Sequence, residues 1–214
     1  MKYFATICLL ASAMNCMALN VAQLFMAEPG IIFTSLSDGA RAEMVTNYNS
    51  NDTSTVLTYM GTEAKINMLD TAANYLDVST SKSQRVEIKL LISGNLRDTV
   101  IAVIHTLSTP APDSRIAFYN THWKQLSTKK YFKMPTLDDF KRNGITKQQW
   151  NETTQNIAFP LIKLSFEGEN RNILNATLTL NQFYPTNEWR KIEPALINLK
   201  RYAVEGTKIK PLQH

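Results

Sequence analysis

RVEIKL at residues 85–90, the turn SGN at 93–95 and TVIAVIHTL at 99–107 decide the architecture of this chain. In the first segment apolar and charged residues alternate. Val86, Ile88 and Leu90 point one way, while Arg85, Glu87 and Lys89 point the other. Neighbouring side chains of a strand face opposite sides, so a period of two predicts a half-buried strand with its charges in water. The second segment is apolar on both sides, as a central strand covered on two faces must be. Ser93, Gly94 and Asn95 supply the turn between them.

Working outward, Thr109-Pro110-Ala111-Pro112-Asp113 must be a loop, since two prolines cannot serve a central ladder. Residues 115–119 read as a further strand with Ile116 and Phe118 on one side. Upstream, the period of two sets in from Val56. Before it, residues 23–27 predict a short helix stopped by Pro29-Gly30. Ser37 or Asp38 then caps a helix through Tyr48, with Ala40, Met44, Val45 and Tyr48 at helical spacing and a turn at residues 49–52.

Downstream, Thr136 caps a helical turn with Asp139 three residues on, and residues 145–154 predict another short helix. Residues 161–166 and 173–181 read as a hairpin across Gly168-Glu169-Asn170. Leu174, Ala176, Leu178 and Leu180 face in; Asn175, Thr177, Thr179 and Asn181 face out. A helix over 187–199 and a last strand near Tyr202 complete the pattern. Without regular strand–helix–strand alternation, this order predicts an α+β fold: a mostly antiparallel sheet with helices packed on one side, in a single domain. Whether the two halves share one sheet or form two stays open.

The N-terminus sets the compartment. Lys2 gives a basic start, residues 3–14 are an apolar run of signal-peptide length, and small residues follow. That run is too short to span a bilayer. Residues 1–22 are therefore expected to be a signal peptide and residues 23–214 an exported domain. Cleavage fits after Ala18 or after Ala22; the second, with Gln23 first, is preferred because a polar, helix-like segment starts there. Cys8 and Cys16 are the only cysteines, so the mature chain is expected to have none. That excludes thiol catalysis, cysteine metal sites and internal disulfides. A lipid anchor at Cys16 is disfavoured, because Asn15 stands where a lipobox needs a small residue. The formal charge of +5 falls to +4 without Lys2, and its basic residues are spread through the chain rather than gathered on a stripe. No nucleic-acid partner and no transmembrane helix in the mature chain are expected.

The strings Glu87-Ile88-Lys89-Leu90-Leu91, Asp98-Thr99-Val100 with His105-Thr106-Leu107, and Ala111-Pro112-Asp113-Ser114 through Phe118-Tyr119 to Trp123 fall in a distinctive order. With Met134-Pro135, Asp138-Asp139-Phe140 and Leu24-Phe25-Met26-Ala27, they resemble an exported Bacteroidales family called domain of unknown function 3256. The likeness spans the mature chain and is densest before residue 141. It implies a secreted or periplasmic α+β protein of a Gram-negative bacterium and brings no catalytic residues with it.

Motifs for chemistry are sparse. His105 and His122, with terminal His214, are the only histidines, and no paired-histidine zinc spacing occurs. Ser114 with a histidine and an aspartate invites a hydrolase triad, yet there is no Gly-x-Ser-x-Gly elbow. Asp138-Asp139 is the only adjacent carboxylate pair, and a helix terminus accounts for it. No phosphate-cradling glycine loop, metal site or cofactor is expected. Tyr119, Trp123, Tyr131 and Phe132 gather rings beside lysines; exposed, they would form a surface for an envelope protein or a glycan. Three Asn-x-Thr sequons, at Asn51, Asn151 and Asn175, are read as accidental in a bacterial setting. Asp70-Thr71-Ala72 and Asp98-Thr99-Val100 match a short O-glycosylation acceptor pattern, which makes Thr71 and Thr99 candidate acceptors. The reading is a non-catalytic binding or accessory domain of the envelope; the alternative is an envelope hydrolase using His105 or His122 with an aspartate.

Overall fold

The computed structural model describes residues 20–94 and 98–212. The leader with Cys8, Cys16 and Ala18, the turn residue Asn95, and His214 lie outside the described residues. Helix α1 (Val21–Met26) starts at an Asn20–Gln23 capping box, and α2 (Asp38–Asn49) starts at Ser37, whose Oγ accepts from the Ala40 N–H at 3.1 Å. Strands β1 (Val56–Leu57), β2 (Glu63–Asp70), β3 (Tyr75–Ser79), β4 (Gln84–Ile92), β5 (Thr99–Leu107), β6 (Asp113–Tyr119) and β7 (Gln125–Leu126) follow. They form one antiparallel meander in sequence order. Two 3-10 turns, Thr128–Lys130 and Leu137–Phe140, lead to α3 (Lys147–Thr154). Then come β8 (Ile162–Glu167), β9 (Ile173–Leu178), α4 (Thr186–Ile192), β10 (Leu199–Glu205) and β11 (Lys208–Pro211), whose strands make a second antiparallel sheet in the order β11-β10-β9-β8.

The fold is α+β and single-domain, with two sheets rather than one. The seven-stranded sheet is the middle layer. On one face Val86, Ile88, Leu90, Ile101 and Val103 pack against α1, α2 and the Phe33 loop. On the other, Leu91, Val100, Ala102, Ile104 and Phe118 pack against Leu164, Phe166, Leu174 and Ala176 of the second sheet, with Trp150 and Ile192 from α3 and α4. β5 is thus covered on both faces, as its continuous apolar run requires.

Covering both faces overturns one expectation. Glu87 and Lys89, placed in water by alternation, are 1% and 4% exposed because the second sheet lies over them. Asn175 and Thr179, expected outside, are also buried: Asn175 Nδ2 donates to Glu167 on neighbouring β8, and Thr179 Oγ1 donates to the backbone oxygens of Pro112 and Leu161. The helix expected over 187–199 ends at Ile192; a 3-10 turn with Pro194 follows, and Leu199 already belongs to β10. β11 was not foreseen: a two-residue turn at Gly206-Thr207, with Gly206 at φ +59°, folds it back on β10.

The N-terminal cap is anchored by buried polar groups. The Glu28 carboxylate accepts from the N–H groups of Ile31, Ile32 and Phe33 at 2.5, 2.9 and 3.2 Å. Arg41, 1% exposed, donates to the backbone oxygens of Glu28 and Leu36 and to Asp38.

Candidate functional site

The second sheet meets the first through polar side chains as well as apolar ones. β8 is an edge strand, and its N–H groups that turn away from β9 would otherwise be buried without partners. Asp113 Oδ1 accepts from Ile162 N at 3.1 Å, Ser114 Oγ from Leu164 N at 2.9 Å, and Glu87 Oε2 from Phe166 N at 3.0 Å. Three side chains of the first sheet thus replace a missing neighbouring strand. Glu87 Oε2 also accepts from Tyr75 Oη at 2.9 Å, and Arg85 sits 3.6 Å from Oε1 while bonding Asp77. Burial pushes the Glu87 carboxyl above the usual carboxylate range; the Phe166 N–H, Arg85 and Tyr75 oppose that rise.

Lys89 Nζ reaches the backbone oxygens of Ala73 and, at 2.9 Å, Asn170, tying the β2–β3 turn to the β8–β9 turn. Burial lowers its ammonium to about 8, with nearby Arg171 adding to the effect and Asp70 opposing it. Arg171 lies 5.0 Å over the Tyr75 ring. Asp113, Ser114, Glu87 and Lys89 thus bond across from the first sheet to the second, while Tyr75, Asp77 and Arg85 brace Glu87 within the first.

The residues considered for a hydrolase are placed apart from one another. Ser114 Oγ is 2.8 Å from Thr106 Oγ1 and faces the second sheet. His105 pairs in register with Arg115, one position away from the Thr106–Ser114 pair, so its side chain leaves the opposite face. His105 and His122 are both exposed, His122 in the β6–β7 turn. Asp113 bonds the Ile162 N–H; Asp138 Oδ1 accepts from Trp150 Nε1 at 2.7 Å; Asp139 Oδ2 accepts from Thr136 N at 2.7 Å. The serine, histidines and aspartates are brought to no common point. Among the described residues no group of three histidines or carboxylates gathers as metal ligands, and no helix is long and apolar enough to cross a membrane.

The aromatic platform is also corrected. Tyr119, Trp123, Tyr131 and Phe132 are 7%, 4%, 8% and 2% exposed. Tyr131 stacks on Phe118 with ring centroids 5.2 Å apart, Phe132 meets Tyr202 edge-on at 5.1 Å, and Tyr119 leans on Trp123 at 5.9 Å. The rings are core because each lies over one face of the large sheet. Sequence clustering alone does not distinguish that role from a surface one.

Open grooves of mixed polar and apolar lining lie elsewhere, around the β1–β2 edge. A groove of about 520 Å³ between α2 and β2 is lined by Asn47, Tyr48, Asn51, Asp52, Lys65 and Asn67 among others. A second groove of about 770 Å³, on the far side of β2, shares Lys65 and adds the hydroxyls of Thr62, Ser79, Ser81 and Ser83 with Lys82. Both volumes fall in the range of small-ligand sites. The Tyr48 side chain is half-buried, and Asn51 is held at φ +55° in the turn that closes α2. Asn67 Nδ2 is fixed by Asp77 and Ser79 at 3.1 and 2.8 Å. In the sequence, residues 49–52 read as a helix terminator. The signal that was available is the run of amides and hydroxyls from Asn47 to Thr55 beside a tyrosine. Thr71, a candidate acceptor, is exposed in the turn between β2 and β3, whereas Thr99 is half-buried at the start of β5.

These features define a layered α+β protein: α1 and α2 cover one face of a central antiparallel sheet, and a smaller sheet with α3 and α4 covers the other. The helices thus lie on both sides rather than on the one side expected, and open grooves lie at one edge. The family model described as "Protein of unknown function (DUF3256)" matches residues 13–208, and the chain belongs to that family. It is similar to a solved domain of an uncharacterised protein from Porphyromonas gingivalis W83, with 18% identity and a TM-score of 0.77 over 92% of this chain and 100% of that one. That likeness shows the fold. No curated protein matches the chain.

Proposed function

We propose that this is an exported cell-envelope protein that works by binding, and that it holds a glycan in the groove between α2 and β2. One observation carries the reading: the groove sets amides and hydroxyls beside a tyrosine ring and the apolar side chains of Met44 and Ile66. Asn47 and Asn51 offer both donors and acceptors, Thr53 and Ser54 add hydroxyls, and the Tyr48 ring offers a face for a sugar to stack on. Met44 and Ile66 add apolar surface beside these groups, and such a mixture suits a sugar, whose hydroxyls hydrogen-bond while its C–H faces pack on apolar and aromatic side chains. Export is supported by the signal-like leader and by the lack of any cysteine beyond it.

The test is titration of the purified protein with soluble oligosaccharides prepared from envelope polysaccharide and peptidoglycan, followed by calorimetry, beside a broad hydrolase screen. Tyr48→Ala and Asn51→Gly, the latter compatible with the φ of +55°, are expected to weaken binding about tenfold or more, the size of one lost anchor, measured at a temperature where circular dichroism shows each variant folded. Binding that survives both substitutions, or turnover that vanishes in a His105→Ala or His122→Ala variant of normal stability, overturns the reading.

A further inference from the structure

We propose that export processing cuts this chain after Ala18, so that the mature protein begins at Leu19 and keeps all of helix α1. The inference rests on the export reading above and fixes where the leader ends. A cut after Ala22 would remove Asn20, Val21 and Ala22, and all three are built into the fold.

Asn20 caps α1 from both directions: its Oδ1 accepts from Gln23 N at 2.9 Å, while Gln23 Oε1 accepts from Asn20 N at 3.1 Å. Val21 is 0% exposed and Ala22 8%, and both belong to the core that α1 makes with Leu24, Phe25, Leu36 and Met44 against β3 and β4. Losing Val21 opens a void in that core, and packed interiors close such voids only in part. A chain starting at Gln23 would also place a charged α-amino group at the helix N-terminus, where the helix dipole disfavours positive charge.

The leader sequence agrees. Signal peptidase sites carry small residues at the last and third-last positions of the leader. Cys16 and Ala18 satisfy both; for a cut after Ala22 the third-last residue is Asn20, which does not. The same cut discards Cys8 and Cys16 and leaves no cysteine to anchor or pair.

N-terminal sequencing and intact mass of the protein isolated from its native envelope test the proposal. A start at Leu19 supports it. A start at Gln23, or a lipid-modified Cys16 as first residue, overturns the cut and leaves export standing; an unprocessed chain beginning at Met1 overturns both. Recombinant 19–214 and 23–214 give an independent reading. The shorter form is expected to melt roughly 5 °C or more below the longer, and equal melting temperatures overturn the proposal.

Discussion

Glu87 and Lys89 stand two residues apart on β4 and are both buried on the face that meets the second sheet, yet their titrations move stability in opposite senses. Burial holds the Glu87 carboxyl above its ordinary value, so the folded chain keeps the proton longer than the unfolded one. Its contribution is intact below the ordinary value of 4.5 and is lost as pH rises through the raised folded one. Lys89 is lowered to about 8 from 10.5, so between those values the unfolded chain holds the extra proton, and stability rises with pH across that window. Urea unfolding over a pH series is expected to show both trends. Glu87→Gln should abolish the first and Lys89→Met the second, the latter with lower stability overall because two backbone oxygens lose their donor. An unaltered pH slope in either variant refutes the assignment. Modification belongs to this scale too. Thr71 is the exposed acceptor, held in a turn where Asp70 Oδ1 accepts from Ala73 N at 2.8 Å. In a host that O-glycosylates such sites, glycopeptide mass spectrometry is expected to find glycan on Thr71 and none on half-buried Thr99. Residue burial was the least legible property of the sequence. Alternation named the correct apolar face of β4, but only a tertiary contact 70 or more positions away, from Phe166 and Asn170, makes Glu87 and Lys89 buried too.

At the scale of elements, caps and turns were written locally and could be read. Ser37 before α2 and Thr136 with Asp139 act as the sequence implies, and Thr146, inside the stretch expected to be helical, caps α3 in the same way; each satisfies its own helix N-terminus within three residues. What ends α4 early is also local, Pro194, but the apolar pattern of Ile192, Leu196 and Leu199 ran through it and masked the break. The edge of β8 had no local signal at all. Its partners Asp113, Ser114 and Glu87 come from two other strands, and Ser114 had the look of a nucleophile only while its neighbours were unknown. Ser114→Ala would leave the Leu164 N–H buried and unpaired, at a cost of about 1–3 kcal/mol. The expected signature is specific: amide exchange at Leu164 speeds up more than at Ile162 or Phe166, which keep their own acceptors. Uniform loss of protection along β8 would mean that the hydroxyl is not what holds it.

For the whole molecule, the question is whether two sheets joined by a long connection melt as one body. Residues 127–161, which link them, are short turns and α3 rather than an extended linker, and Phe140 and Trp150 in that stretch are buried in the interface core. Separation would strip the cover from Val100, Ala102, Ile104 and Phe118 and expose Leu164, Phe166 and Leu174. It would also leave Glu87 and Lys89 without their partners at Phe166 and Asn170, and the β8 N–H groups without acceptors. Apolar burial and backbone satisfaction therefore fail together, which is the condition for an all-or-none transition. The three tryptophans allow a direct test, since Trp123 lies in the core beneath the helices while Trp150 and Trp189 lie with the second sheet. Single-tryptophan variants, with the other two replaced by phenylalanine, are expected to report coincident urea transitions of equal slope. A Trp123 transition separated from those of Trp150 and Trp189 would show that the layers unfold independently, and would divide the chain into two domains near the end of β7.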